Sequence, residues 1–223
     1  MNPQALQTLE PTSLQDRIRR QLEQDIHDGR LKPGMPIDDK ALAQRFDTSR
    51  TPVREALLVL QDRGLVDIVP RTGIYVHRPS ATELVAMMEA LGELEGVLAR
   101  LAALRIGASL RDELAQALEG TRARALAQDA AGYEQANAVL HEVIYRASVN
   151  PFIVDQTRMV RLRIAAFRGR LFEKPGRLAK SQSEHQRVVE AILTGDPEGA
   201  AEAMRDHISA GGRVFADLVL NNG

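Results

Sequence analysis

The sequence contains no cysteine and no tryptophan, and aromatic residues make up 4% of its 223 positions. Without cysteine there is no disulfide, no thiolate nucleophile and no Cys-type zinc site, so any metal must be held by nitrogen and oxygen ligands. Long apolar runs are also missing. No stretch reaches the roughly 20 residues that a membrane-spanning helix needs, and Met1 to Glu10 lacks the basic and apolar regions of a signal peptide. The expectation is a cytoplasmic protein without a membrane partner. Nor is there an excess of charge: 30 acidic side chains oppose 29 basic ones, so no global field draws the chain to nucleic acid. Residues 1–79 carry 12 Lys and Arg against 11 Asp and Glu, and from Ser49 to Arg78 there are five arginines against three acids. Such neutrality disfavours a nucleoid-packing protein, and any DNA affinity has to come from local placement.

A chain of this length accommodates two domains, each with a core of its own. Leu14, Ile18, Leu22 and Ile26 fall on one helical stripe that ends at Asp28-Gly29. Leu31 to Pro36, with two prolines and a glycine, reads as a turn. Asp38 then caps a short helix to Phe46, with Leu42 and Phe46 inward, and a further helix runs from Ser49 to about Arg63. The β-prone runs Leu65–Val69 and Gly73–Val76, separated by Pro70-Arg71-Thr72, have the form of a small hairpin. Three helices and a hairpin predict a winged helix-turn-helix over residues 13–79, after a flexible N-terminus at residues 1–12.

In that architecture the second helix of the pair enters the major groove. Ser49 is placed to cap it, Pro52 is tolerated in its first turn, and Val53, Ala56, Leu57 and Leu60 form its apolar face. Arg50 and Arg54, four residues apart on an adjoining stripe, become base-facing candidates, because a guanidinium fork matches guanine O6 and N7. Taken without its neighbours, the same stretch is an amphipathic helix with solvated arginines. Lys40, Ser49, Thr51 and Arg71 are better placed for phosphate contact, with plain surface solubility as the alternative.

From Ala81 onward everything reads as helix: Glu83–Arg105, Leu110–Gln128, Gly132–Ser148, Ile153–Phe172, Leu178–Thr194 and Pro197–Leu220, with a polar tail at residues 221–223. The overall expectation is mainly α, with an antiparallel helical bundle over residues 80–220. His141, His185 and His207 each lie on the apolar stripe of a different helix, and Asn137 precedes His141 by one turn. Two readings stay open here. The rings are separately satisfied core residues, or they share a divalent metal such as Zn, Ni, Fe or Mn, with an oxygen ligand completing the set.

The segment with Leu31-Lys32-Pro33-Gly34, Ala41-Leu42-Ala43, Ser49-Arg50-Thr51-Pro52-Val53-Arg54-Glu55-Ala56-Leu57, Gly64-Leu65-Val66 and Gly73-Ile74-Tyr75-Val76 resembles the GntR family of bacterial transcription regulators. The resemblance implies operator contacts from Lys40, Ser49, Arg50, Arg54 and the wing tip, which includes Arg71, Thr72 and Gly73. Asn137-Ala138-Val139-Leu140-His141, Ser148-Val149-Asn150-Pro151, Glu184-His185, Gly195-Asp196 and Met204 with His207 resemble the all-helical FCD-type effector domain of the FadR subfamily. That likeness implies a metal held by Asn137, His141, His185 and His207, with asparagine where many relatives have aspartate. It also implies a small carboxylate effector, for which Arg163 and Arg168 are the cationic candidates. The expected whole is a homodimeric, ligand-responsive regulator of double-stranded, pseudo-palindromic operator DNA and not an enzyme. A metal-dependent hydrolase or lyase built on the three histidines is the rival, and it lacks an evident general base, since Asp206 beside His207 faces another way.

Overall fold

The computed structural model describes residues 13–168 and 171–221, without the side chains of residues 166–168, 171 and 213–221. The N-terminus expected to be flexible lies outside the described residues. So do the last two residues of the expected tail, whereas Asn221 still belongs to the final helix. The chain divides into two compact units, the first ending at Arg78 and the second beginning at Pro79.

In the first unit, α1 (Leu14–His27) starts at Ser13, whose hydroxyl accepts the Asp16 amide. Its stripe of Ile18, Leu22 and Ile26 is buried, while Leu14, at the first turn, stays 39% exposed. Helix α2 (Asp39–Arg45) is capped by the Asp38 carboxylate, which accepts from the amides of Lys40 and Ala41. Phe46 is half-buried rather than fully inward. Helix α3 (Arg50–Asp62) buries Val53, Ala56, Leu57 and Leu60 against this core. The sheet has three strands where a two-stranded hairpin is expected: β1 (Pro36–Ile37), β2 (Val66–Val69) and β3 (Gly73–Val76), in the order β1-β3-β2. Both pairings are antiparallel, with Ile37 opposite Ile74 and Ile68 opposite Ile74 on the other edge. A strand of two residues carries no alternation to read. Gly34, at a φ of +78°, turns the chain so that its amide donates to the Val76 carbonyl at 2.8 Å.

Asp25, 1% exposed at the end of α1, ties this unit together. Its carboxylate accepts from Arg45 at 2.5 Å, Arg30 at 2.8 Å and Gln21 at 3.1 Å, joining α1 to the following turn and to the end of α2.

The second unit comprises, among the described residues, α4 (Ala81–Arg105), α5 (Ala108–Leu126), α6 (Ala130–Ser148), α7 (Pro151–Arg168), α8 (Arg177–Thr194) and α9 (Pro197–Asn221). A capping box starts α4: Ser80 accepts the Glu83 amide while Glu83 accepts the Ser80 amide. The core combines Leu91 of α4, Leu114 of α5, Leu140 and Ile144 of α6, Ile164 of α7, Val188 and Ile192 of α8, and Met204 of α9. Gly96 lets α4 approach α9 closely, since a Cβ there would come within 3.0 Å of Arg205 Cγ and 3.2 Å of the Ala201 carbonyl. Helix α7 is described to Arg168, and where the sequence predicts helix as far as Phe172, Leu171–Glu173 form a 3₁₀ turn. That turn sets Phe172 edge-on against Tyr133, ring centres 4.9 Å apart, and Pro175 follows, disfavouring helix at the residue before it. No helix is long and apolar enough to cross a membrane among the described residues.

Burial disfavours ionisation of Asp25, but its bonds to Arg45, Gln21 and Arg30 outweigh this and hold its carboxyl below the usual 3.8. A depressed carboxyl stabilises the fold above its unfolded pKa, and that contribution disappears as pH falls through the folded value. Hydrogen exchange of amides 14–76 in the full chain should therefore show protection falling with acidity below pH 3.8. Asp25→Asn should lose protection at neutral pH and show a flatter acid response; an unchanged profile would remove Asp25 from this role.

Candidate functional site

Two sets of side chains stand out, one in each unit. On the first, Ser49 occupies the N-cap position of α3, yet its hydroxyl makes no capping bond. Pro52, the third helical residue, has no amide to donate, which removes one of the two donors such a cap can use. Ser49, Thr51 and Lys40 are exposed. Arg50 and Arg54 are exposed along one side of α3, and both turn to Asp39 at the first position of α2. Arg50 Nη2 donates to both carboxylate oxygens at 2.8 and 2.9 Å, and Arg54 Nε donates to Oδ2 at 2.8 Å. At the hairpin tip Arg71, Thr72 and Gly73 are exposed. Arg71 takes a left-handed φ of 64°, a conformation that costs a side-chain-bearing residue on the order of 1 kcal/mol. Gly73 has φ +145°, and a Cβ there would meet the Tyr75 hydroxyl at 3.3 Å.

On the second unit, His141 of α6, His185 of α8 and His207 of α9 are buried together, with one ligand atom from each lying within 4.8 Å of the others. Ring centres are 4.4 Å apart for His185 and His207, and 5.5 Å from His141 to either. Each Nδ1 has a buried partner: Glu95 Oε2 for His141 at 2.6 Å, the Tyr133 hydroxyl for His185 at 3.2 Å and Glu184 Oε2 for His207 at 2.9 Å. With Nδ1 so engaged, Nε2 is the atom each ring has to offer to a shared ligand. His185 Nε2 and the Oδ1 of Asn137 are buried without a hydrogen-bond partner. Asn137 sits one turn before His141 on the same face of α6, following Tyr133 by one turn.

Charge around the rings is balanced in pairs. Burial disfavours ionisation of Glu95, but Arg161 and His141 outweigh it and hold the carboxyl far below the usual range. Arg161 Nε donates to Glu95 Oε1 at 2.6 Å. Arg177, at the first position of α8, donates to Glu184 at 3.0 Å. Burial first, then the neighbouring His207 and His141, keeps His185 neutral by lowering its pKa well below 6.5. A neutral imidazole is the form that binds metal. The donor set therefore suits a divalent ion with nitrogen and oxygen preferences: three imidazoles each held at Nδ1 and an amide oxygen with no hydrogen-bond partner.

Arg163 is half-buried on α7, two residues beyond Arg161 and hence on another face of the helix. The side chain of Arg168 lies outside the described residues. Sequence reasoning missed the parts played by Glu95, Tyr133, Arg161, Arg177 and Glu184. A signal existed for one of them, since Glu95 is a lone charge within the Leu91, Leu98, Ala99 and Ala102 stripe of α4.

The gntR family of bacterial regulatory proteins matches residues 14–76, and the FCD domain family matches residues 86–210. The chain is 26% identical over 199 residues to a "Probable D-xylose utilization operon transcriptional repressor" of Paenarthrobacter nicotinovorans, covering 89% of this chain and 87% of that one. It is 30% identical over 201 residues to an HTH-type transcriptional regulator in an unstable DNA locus of Streptomyces ambofaciens, covering 84% of this chain and 78% of the other. Among solved structures, E. coli McbR/YncC superposes with a TM-score of 0.78 at 23% identity, covering 95% of this chain and 99% of that one, a likeness of fold.

Replacing Glu95 by Gln leaves the largely covered Arg161, its side chain 17% exposed, beside a neutral amide. Breaking a buried pair from one side costs about 3 kcal/mol or more, so thermal unfolding should shift accordingly. A melting temperature within error of wild type would show that the pair contributes nothing.

Proposed function

Because the chain belongs to the gntR family of bacterial regulatory proteins and carries an FCD domain, we propose that it is a homodimeric sensor of the FadR type. In this reading it binds pseudo-palindromic operator DNA through α3 and the β2–β3 wing. Two recognition helices related by a dimer axis would engage two half-sites together, which raises affinity and sets their spacing. Arg50 and Arg54 would read guanine edges, while Lys40, Ser49, Thr51, Arg71, Thr72 and Gly73 meet the sugar–phosphate backbone. The uncapped Ser49 hydroxyl supports its part in this assignment.

The second unit would hold a divalent metal, Zn, Ni, Fe or Mn, through His141, His185, His207 and Asn137. The observation that carries this reading is the engagement of all three Nδ1 atoms by buried partners while Asn137 Oδ1 has none. A bound ion would supply Lewis-acid coordination for an oxygen of a small carboxylate effector. Of the α7 arginines, Arg161, beside the cluster through Glu95, would supply the cation for its charge. The effector shifts DNA affinity to the extent that it favours one placement of the two winged units over another. The hydrolase alternative is disfavoured by the carboxylates nearest the rings. Glu95 and Glu184 are each tied to a histidine and an arginine, which leaves neither as a free general base.

After incubation with zinc and dialysis, wild-type protein should retain a stoichiometric ion and His185→Ala should not. Tyr133→Phe, which removes the Nδ1 partner of His185, should weaken zinc binding by about tenfold or more. Equal metal content in all three proteins would rule out the cluster. For the DNA face, Arg54→Ala should abolish enrichment of a preferred site from a random-sequence duplex pool; undiminished enrichment would remove Arg54 from base reading.

A further inference from the structure

We propose that Asp39 determines the DNA specificity of the first unit: it holds Arg50 and Arg54 as readers of guanine and opposes their capture by phosphate. The proposal rests on the reading of α3 as the recognition helix. One carboxylate, at the start of α2, receives three hydrogen bonds from two guanidinium groups on α3, all between 2.8 and 2.9 Å. The Asp39 side chain is 12% exposed, whereas those of Arg50 and Arg54 are 53% and 59% exposed. The carboxylate thus lies beneath and the arginines lie outermost. Arg54 uses Nε on Asp39, so both of its Nη groups lie outside that bond and can match guanine O6 and N7, whereas Arg50 uses Nη2 and keeps Nη1 outside it.

The electrostatic consequence differs for the two kinds of DNA contact. Two arginines one turn apart would otherwise present two positive charges, a good site for phosphate. With Asp39 between them the net charge of the group is one unit lower, and an approaching phosphate meets a carboxylate of its own sign. A guanine edge is uncharged and bears no such repulsion. Asp39 also fixes the guanidinium planes, so that less side-chain freedom is lost when a base is met. Non-specific affinity is lowered more than specific affinity, and their ratio rises. In a unit whose overall charge is close to neutral, discrimination then depends on this triad rather than on a basic surface.

The test uses the full chain and a random-sequence duplex pool. Wild-type protein enriches a preferred site from the pool, and binding is then compared on that site and on a scrambled duplex at several salt concentrations. Asp39→Asn should bind the scrambled duplex about tenfold more tightly and reduce the ratio of the two affinities by about tenfold. Its log–log salt dependence on the scrambled duplex should steepen by about one unit, the effect of one added phosphate contact. An unchanged ratio, or equal shifts on both duplexes, overturns the proposal. Asp39→Ser carries the same expectation and decides the case if Asp39→Asn does not fold. Arg50→Ala and Arg54→Ala separate this from the underlying reading. If neither alters enrichment, α3 is not the reading helix. If both abolish it while Asp39→Asn keeps the wild-type ratio, the role of Asp39 alone fails.

Discussion

An imidazole buried in an apolar bundle has two nitrogens to satisfy, and the second unit contains three such rings in contact. Its polar interior follows from that constraint. Glu95 of α4, Tyr133 of α6 and Glu184 of α8 each take one Nδ1, and each buried carboxylate then needs a cation. Arg161 serves Glu95 and Arg177 serves Glu184. The result is a shell of paired charges around three rings whose ligand atoms lie within 4.8 Å of one another. Burial disfavours the charged form of His185 most, and the neighbouring rings add to it, which accounts for its low pKa.

The first unit uses charge in the opposite way. Arg30, Arg45, Arg50 and Arg54 are displayed rather than buried, and acidic residues beneath them set their positions. Asp25 gathers Arg30 and Arg45 where α1, the turn and α2 meet, and Asp39 gathers Arg50 and Arg54 where α2 meets α3. A near-neutral unit can still present directed guanidinium groups, because what a partner meets is their local arrangement and not the sum of charges. Pro52 suits the first turn of α3, where its amide would have no intrahelical partner.

Much of the fold was legible in the amino-acid order. Apolar residues spaced three and four apart located the helices, and glycines and prolines located the breaks between them. Leucine, valine and alanine at positions 53, 56, 57 and 60 marked the buried side of α3, and the three histidines marked themselves by sitting on apolar stripes. Strand β1 was not legible, because Pro36 and Ile37 become a strand only when β3 lies beside them. The 3₁₀ turn at Leu171–Glu173 was not legible either, since it goes with the packing of Phe172 on Tyr133, residues far apart in the chain.

The sequence by itself determined the two-part organisation, the helical periodicity, and the residue types that could read DNA or hold a metal. Such properties depend on neighbours within a few turns, which the order of residues records directly. Tertiary structure alone decided which atoms meet: that Glu95 and Arg161 support His141 across three helices, that Tyr133 and Glu184 orient the other two rings, and that Asp39 pairs with both arginines of α3. Those pairings are long-range and follow from the way helices pack. A lone glutamate within an apolar stripe shows that a buried partner is needed without showing which one.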